Sequence, residues 1–319
     1  MCYPTLSQTP LSYKLMSPEV RPIEDRRLLG IGLALAGFAC FTVIDSCAKW
    51  LTQGGLSTIE VVFVRYAAQF LIVSAIFLPQ RGAALATTRN LPVEIIRGLA
   101  LMGSTIFNFI AITYLPLTIT SAIMFTSPLI LCALSIPLLG EKVGWRRWLA
   151  ILVGFAGVIV IVHPGTASFH PAAILSVLGA ACGALYMLLT RKLAGVDATT
   201  TQQFYSGLVA TLCVAPFAVG GWTWPHDVAG WFAFCLIGVA ALTGHQFITT
   251  AHRFAPASVL APFSYFQIIF MTASSWLIFN QPPEVWLYIG APIVIASGLY
   301  LWLRERQLAK AVSEMPADR

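Results

Sequence analysis

Ten stretches of mostly apolar residues, each about as long as a bilayer is thick, constrain this chain more than any other feature. A helix needs about 20 apolar residues to cross a hydrocarbon layer ~30 Å deep. On that scale the 319 residues divide into segments at roughly 30–51, 58–79, 93–114, 118–139, 146–163, 171–190, 201–221, 229–251, 257–279 and 285–303. Short polar or Pro/Gly-bearing joints separate them, such as Gln53-Gly54-Gly55 and Asn280-Gln281-Pro282-Pro283. No soluble domain fits between them. Composition agrees: 10% of residues are charged and 58% hydrophobic, whereas a soluble domain carries roughly 25% charged residues. The expectation is an all-α membrane protein with ten transmembrane helices.

The basic residues test that count. With a cytoplasmic N-terminus, all 19 Lys and Arg fall on the cytoplasmic side except Lys49 and Arg65, near the outer ends of spans 1 and 2. Arg26-Arg27, Lys142 with Arg146-Arg147, Arg191-Lys192 and Arg304 with Arg306 all obey the rule. This is the positive-inside pattern, and a miscounted span would scramble it. Both termini are therefore expected in the cytoplasm, and the membrane is read as the bacterial cytoplasmic (inner) membrane. The net charge of +6 then reflects topology and anionic headgroups rather than nucleic acid. Residues 1–27, with Pro4, Pro10, Pro18 and Pro22, read as a cytoplasmic tail and not as a secretory signal. Residues 306–319 read as a second tail. Cys40, Cys47, Cys132, Cys182, Cys213 and Cys235 lie in apolar runs without C-x-x-C spacing, so they read as packing residues. Neither a metal nor a cofactor is expected.

The chain also repeats itself. Sliding the chain along itself until Leu33 meets Leu175 aligns span 1 with span 6, and also matches Gly37 to Gly179, Cys40 to Cys182 and Lys49 to Arg191. A nearly identical register aligns spans 3–4 with 8–9, matching Ala111 to Ala251, Pro116 to Pro256, Ala133 to Ala273 and Ser135 to Ser275. Trp145 meets Trp286 and Gly157 meets Gly298 one position further on. Two repeats result, at 28–164 and 165–305. Five spans is an odd number, so the second copy enters the membrane from the opposite face. Inverted repeats of this kind build secondary transporters, with the substrate site near midplane between the halves.

Several motifs resemble a known family. Tyr114-x-Pro116 leading to Thr118, Pro128 within span 4, Gly140-Glu141 at its exit, and Trp148 with Gly154-x-x-Gly157 are similar to an EamA-type repeat. Phe254-Ala255-Pro256-Ala257-Ser258 is similar to its second copy. Residues 280–281 depart from that pattern by lacking Gly-Glu. The resemblance is to the drug/metabolite transporter superfamily. It implies a ten-helix fold of two inverted five-helix EamA-like repeats, with a central cavity lined chiefly by spans 1, 3, 4, 6, 8 and 9. Within the superfamily, Asp45-x-x-x-Lys49, Phe63-Val64-Arg65-Tyr66 and the span-9 run from Ala257 to Tyr265 look most like bacterial riboflavin transporters.

Ionisable groups inside a membrane are costly, roughly 2.5–3.5 kcal/mol on insertion scales, and each needs a reason. Asp45, with Lys49 at i+4, and Arg65 form an outer-half cluster. It either orients substrate or gates the mouth, or else it is an ion pair holding spans 1 and 2 together. Glu60 reads as interfacial and solvated. His245 and Gln246 sit mid-span 8, where polar groups face protein or water and not lipid. They contact substrate or a proton, or they satisfy a helix contact. In span 9, Ser264 and Gln267 share a face with Met271 and Ser274, and Pro262 frees a carbonyl nearby. That face lines the cavity or acts as polar glue between helices. Asn108 and Tyr186 carry the same pair of readings. Phe125 and Tyr265 suit stacking on a planar substrate. Trp222, Trp224, Trp276, Trp286 and Trp302 fit an interfacial belt.

The sequence contains no G-x-x-x-x-G-K-[ST], so ATP hydrolysis in cis has no phosphate loop. The reading is a non-enzymatic carrier for a small-molecule substrate, with riboflavin uptake as the leading substrate and export of amino acids or other metabolites as the alternative. An integral membrane enzyme acting on lipid is the competing class. The 13 Asp and Glu are scattered rather than clustered at one face, which argues against it.

Overall fold

The computed structural model describes residues 26–139, 144–162, 170–193, 196–255 and 257–313. Every regular element among them is helical. The first half holds α1 (Arg27–Gln53), α2 (Thr58–Arg81), α3 (Leu91–Tyr114), α4 (Leu117–Met124), α5 (Ser127–Leu139) and α6 (Trp145–Val162). The second holds α7 (Ala172–Leu193), α8 (Thr199–Ala218), α9 (Val228–Phe254), α10 (Ala257–Leu260), α11 (Phe266–Leu277) and α12 (Val285–Ser313). Eight helical segments are long and apolar enough to cross a membrane, and the chain is a multi-pass membrane protein. The other two expected spans are α8, which opens on the polar run Thr199 to Gln203, and the span containing the short α11. The Gly140-Glu141-Lys142 joint, residues 1–25 and residues 314–319 lie outside the described residues.

Two of the ten expected segments are broken helices, and local chemistry explains both breaks. In segment 118–139, Phe125 and Thr126 separate α4 from α5. The Thr126 N–H and hydroxyl both return to the Ile123 carbonyl, at 2.9 and 2.7 Å. Pro128 follows as the second residue of α5, where its missing N–H leaves no hydrogen bond unmade. In segment 257–279 a 3₁₀ turn at Ala261–Tyr265, with Pro262 at its start, separates α10 from α11. In the register that matches Ala111 to Ala251, Phe125 falls on Tyr265. The two breaks occupy one position of the repeat.

Packing follows the same repeat. α1 lies along α9, α3 along α7, α2 along α8 and α6 along α12. α1 also meets α11, α7 meets α4 and α5, and α4 meets α11. Exchanging the halves turns α1 on α9 into α7 on α3, and α1 on α11 into α7 on α4–α5. The α1–α9 crossing is close because glycine stands on both sides. A Cβ on Gly37 would lie 2.8 Å from Ile248 Cγ1. One on Gly244 would lie 3.0 Å from both Cys40 Cβ and the Phe41 ring. Small residues let backbones approach in this way where no hydrophobic drive between helices exists.

Candidate functional site

Asp45 sits in α1 between buried Thr42 and Ser46, one turn before Lys49. It is half-buried. Its Oδ1 accepts from Asn108 Nδ2 of α3 at 3.2 Å. One turn earlier on α3, Thr105 Oγ1 receives Arg65 Nη1 at 3.3 Å and lies 2.7 Å from the Tyr66 hydroxyl. The Tyr66 hydroxyl also donates to the Leu101 carbonyl at 3.0 Å. The Arg65 guanidinium rests over the Tyr66 ring, 4.3 Å from its centroid, a favourable cation–π distance. Arg65 Nε is buried and has no hydrogen-bond partner among the described residues. Buried donors are normally satisfied, so this one is an exception.

Aromatic groups flank these polar ones. The His245 ring meets Phe41 edge to face at 5.1 Å, and Phe41 is one turn before Asp45. Phe125 and Tyr265, the residues at the two helix breaks, have ring centroids 5.2 Å apart. The Tyr265 hydroxyl reaches α12 at Gly298, where an added Cβ would overlap it. His245, Phe125, Ser264, Tyr265 and Gln267 are all half-buried. Further along the same α1–α11 contact, the Ser46 and Ser274 hydroxyls are hydrogen-bonded at 2.6 Å.

Not every expected residue joins this group. Gln246 is exposed, on the strip of α9 that also carries exposed Phe232, Val239 and Arg253. It lies about 200° around the helix from Gly244, which faces α1. Tyr186 packs under the Arg97 guanidinium at 5.3 Å, toward the far end of α7. Glu60, expected to be solvated, is 1% exposed. It completes a capping box with Ser57 and accepts from the Thr223 N–H at 2.5 Å and its hydroxyl at 3.1 Å, binding the start of α2 to the joint before α9.

The largest polar group that sequence reasoning misses is built on Arg97. The positive-inside count takes it as a cytoplasmic basic residue at the start of segment 93–114, yet it lies inside α3 at 2% exposure, bonded to Glu94 Oε2 at 3.0 Å. It donates to Ser206 at 2.9 Å, to Thr190 at 3.4 Å and to the Gln202 carbonyl. This joins α3, α7 and α8. The i,i+3 spacing of Glu94 and Arg97 on the first turns of a helix is the signal that could have found it.

Two hollows lie elsewhere. One, of about 410 Å³, is lined by Trp50, Gln53, Pro225, His226 and Asp227 among others. A smaller one lies between Leu115, Ile161, His170 and Glu284. Neither includes an expected site residue.

The profile of the EamA-like transporter family matches residues 28–163 and again 170–303. The chain belongs to that family. It is 27% identical over 284 residues to the S-adenosylmethionine uptake transporter of Rickettsia prowazekii, covering 88% of this chain and 94% of that one. It is 29% identical over 297 residues to the riboflavin transporter of Vibrio cholerae, covering 90% and 99%. It is 28% identical to the pseudopaline exporter CntI of Pseudomonas aeruginosa, covering 86% and 96%. A solved crystal structure aligns with 87% of this chain and 98% of its own, at TM-score 0.57 and 17% identity; at that identity it shows a shared fold alone.

Proposed function

We propose that this protein is a secondary transporter that moves a small organic metabolite across the bacterial cytoplasmic membrane by alternating access. In this reading it has ten spans in two inverted five-helix halves, with both termini inside. The observation that carries the proposal is the pair of helix breaks at equivalent positions, whose residues Phe125 and Tyr265 touch. Broken spans at corresponding places in inverted repeats mark transporter binding sites. Asp45, Arg65, Asn108, Phe125, His245, Ser264, Tyr265 and Gln267 are the proposed contacts, and Tyr186 is left out because it packs under Arg97. Gln246 is left out because it faces away.

Riboflavin is the first substrate to test, since a full-length relative is a riboflavin transporter and the Phe125–Tyr265 pair suits a planar ring. A second reading has its own observation. Asp45 places a carboxylate within α1, held by Asn108, and a carboxylate there suits a cation such as S-adenosylmethionine, the substrate of another relative. Uptake into proteoliposomes decides between them. Saturable uptake with counterflow is expected for one of the two compounds. Asp45→Asn and Gln267→Ala should each impair it. A hydrogen bond to a charged group contributes roughly 1.5–3 kcal/mol, so Asp45→Asn should raise KM for a cationic substrate about tenfold or more. Uptake of neither compound, or wild-type kinetics in both variants, contradicts this site.

A further inference from the structure

Lys49 and Arg191 occupy the same position in the two halves, and their surroundings are opposite. Lys49 is 1% exposed. Its ammonium donates to the Leu115 carbonyl at 2.6 Å and to Gln281 Oε1 at 2.8 Å, with the Phe279 ring 5.4 Å away. Leu115 is one of the two residues between α3 and α4, and Gln281 lies between α11 and α12. One side chain thus ties the C-terminal part of α1 to a joint in each half of the molecule. Arg191, in the last turn of α7, is exposed.

The difference extends one turn inward. Ser176, Ala180 and Ala184 form the buried stripe of α7, and Met187 and Arg191 continue it at steps of three and four. Met187 is nevertheless 50% exposed. The matching stripe of α1 runs through Ala34, Phe38, Thr42 and Asp45 to Lys49 and is covered at its Lys49 end. The core-facing side of the molecule is closed where Lys49 binds and uncovered where Arg191 stands. A buried ammonium held by neutral acceptors is expensive unless its position does something. The second joint is also prepared. Ala255, the counterpart of Leu115 in the second repeat, ends α9 with its N–H on the Ala251 carbonyl at 3.0 Å, as the Leu115 N–H holds Ala111 at 2.9 Å.

We propose that Lys49 is the latch of the outer mouth and Arg191 its counterpart at the inner mouth, seated alternately as the halves rock. Arg191 reaches the Ala255 carbonyl in the opposite state, and Lys49, when released, finds Asp45 one turn back on its own helix. This rests on the alternating-access reading but on no particular substrate. Both lysine and arginine act here as positioning residues.

Sided thiol labelling tests it. A single cysteine, Met187→Cys, is placed in full-length protein whose native cysteines are replaced, in inside-out and right-side-out vesicles. A membrane-impermeant maleimide should label it from the cytoplasmic face alone. Adding Lys49→Met, which removes two charge-assisted hydrogen bonds, should slow that labelling about tenfold. Lys49→Arg should restore it, and Arg191→Met should leave it as fast as before. Labelling from the outer face, an unchanged rate in Lys49→Met, or faster labelling from both faces, as general loosening would give, overturns the latch. Shifted labelling with no riboflavin or S-adenosylmethionine uptake leaves the latch standing and removes the substrate reading.

Discussion

Arg97 and Glu94 illustrate what one buried charge demands of its neighbours. The guanidinium is matched by Glu94, Ser206, Thr190 and a backbone carbonyl, so three helices depend on one side chain. Breaking a buried pair by removing one partner costs about 3–5 kcal/mol, whereas replacing both partners by apolar groups is often neutral. Arg97→Ala should therefore lose most of its monodisperse folded protein in detergent. Arg97→Met combined with Glu94→Leu should recover much of it. Fluorescence-detected size exclusion after a heat step measures both, and a double variant no better than the single one would contradict the pairing. Single residues are also where the sequence misleads. Glu60 looks interfacial by position alone, but its partner Thr223 is far away along the chain and no local pattern announces it. Arg97 reads as one more cytoplasmic basic residue because its partners Thr190, Gln202 and Ser206 are remote in the chain.

At the scale of the helix, the breaks matter most. Pro262 signals the interruption of span 9, and the 3₁₀ turn Ala261–Tyr265 lies there. Span 4 is harder to read, because Pro128 sits after the break at Phe125–Thr126 and not in it. Gly157 pairs with Gly298 across the repeat, yet the sequence does not say that Gly298 makes room for the Tyr265 hydroxyl, a contact between elements. That contact gives a sharp prediction. Gly298→Ala would drive a methyl into the hydroxyl and displace the ring that touches Phe125. Uptake should fall severely. Adding Tyr265→Phe leaves ring carbon Cζ, 3.3 Å away, as the nearest neighbour, so the double variant should regain transport that the single one loses. If Gly298→Ala transports normally, the ring is not held there. Depth in the membrane is what points to Gln246 in the sequence. Depth fixes only how far along α9 a residue sits and says nothing of which face it shares.

For the molecule as a whole, the hydropathy runs mark out the helices and the internal register marks out two repeats, while which helices pair is seen only in the structure. The packing of α1 on α9 and α3 on α7 is one contact made twice, as two related halves require. Sequence alone cannot supply how far the halves have moved relative to each other, because equivalent residues such as Lys49 and Arg191 differ only in their surroundings. The proposed inversion of the halves is the claim on which the transport mechanism depends. Its most direct test is the sidedness of equivalent joints. Gly54 and Val196 are counterparts in the register that matches Lys49 to Arg191, and they follow α1 and α7. As single cysteines probed with an impermeant thiol reagent in intact cells and after permeabilisation, Gly54→Cys should label from outside and Val196→Cys only once the membrane is opened, with His226→Cys joining Gly54→Cys outside. Labelling of Gly54→Cys and Val196→Cys from the same face would contradict the inversion and the alternating-access mechanism built on it.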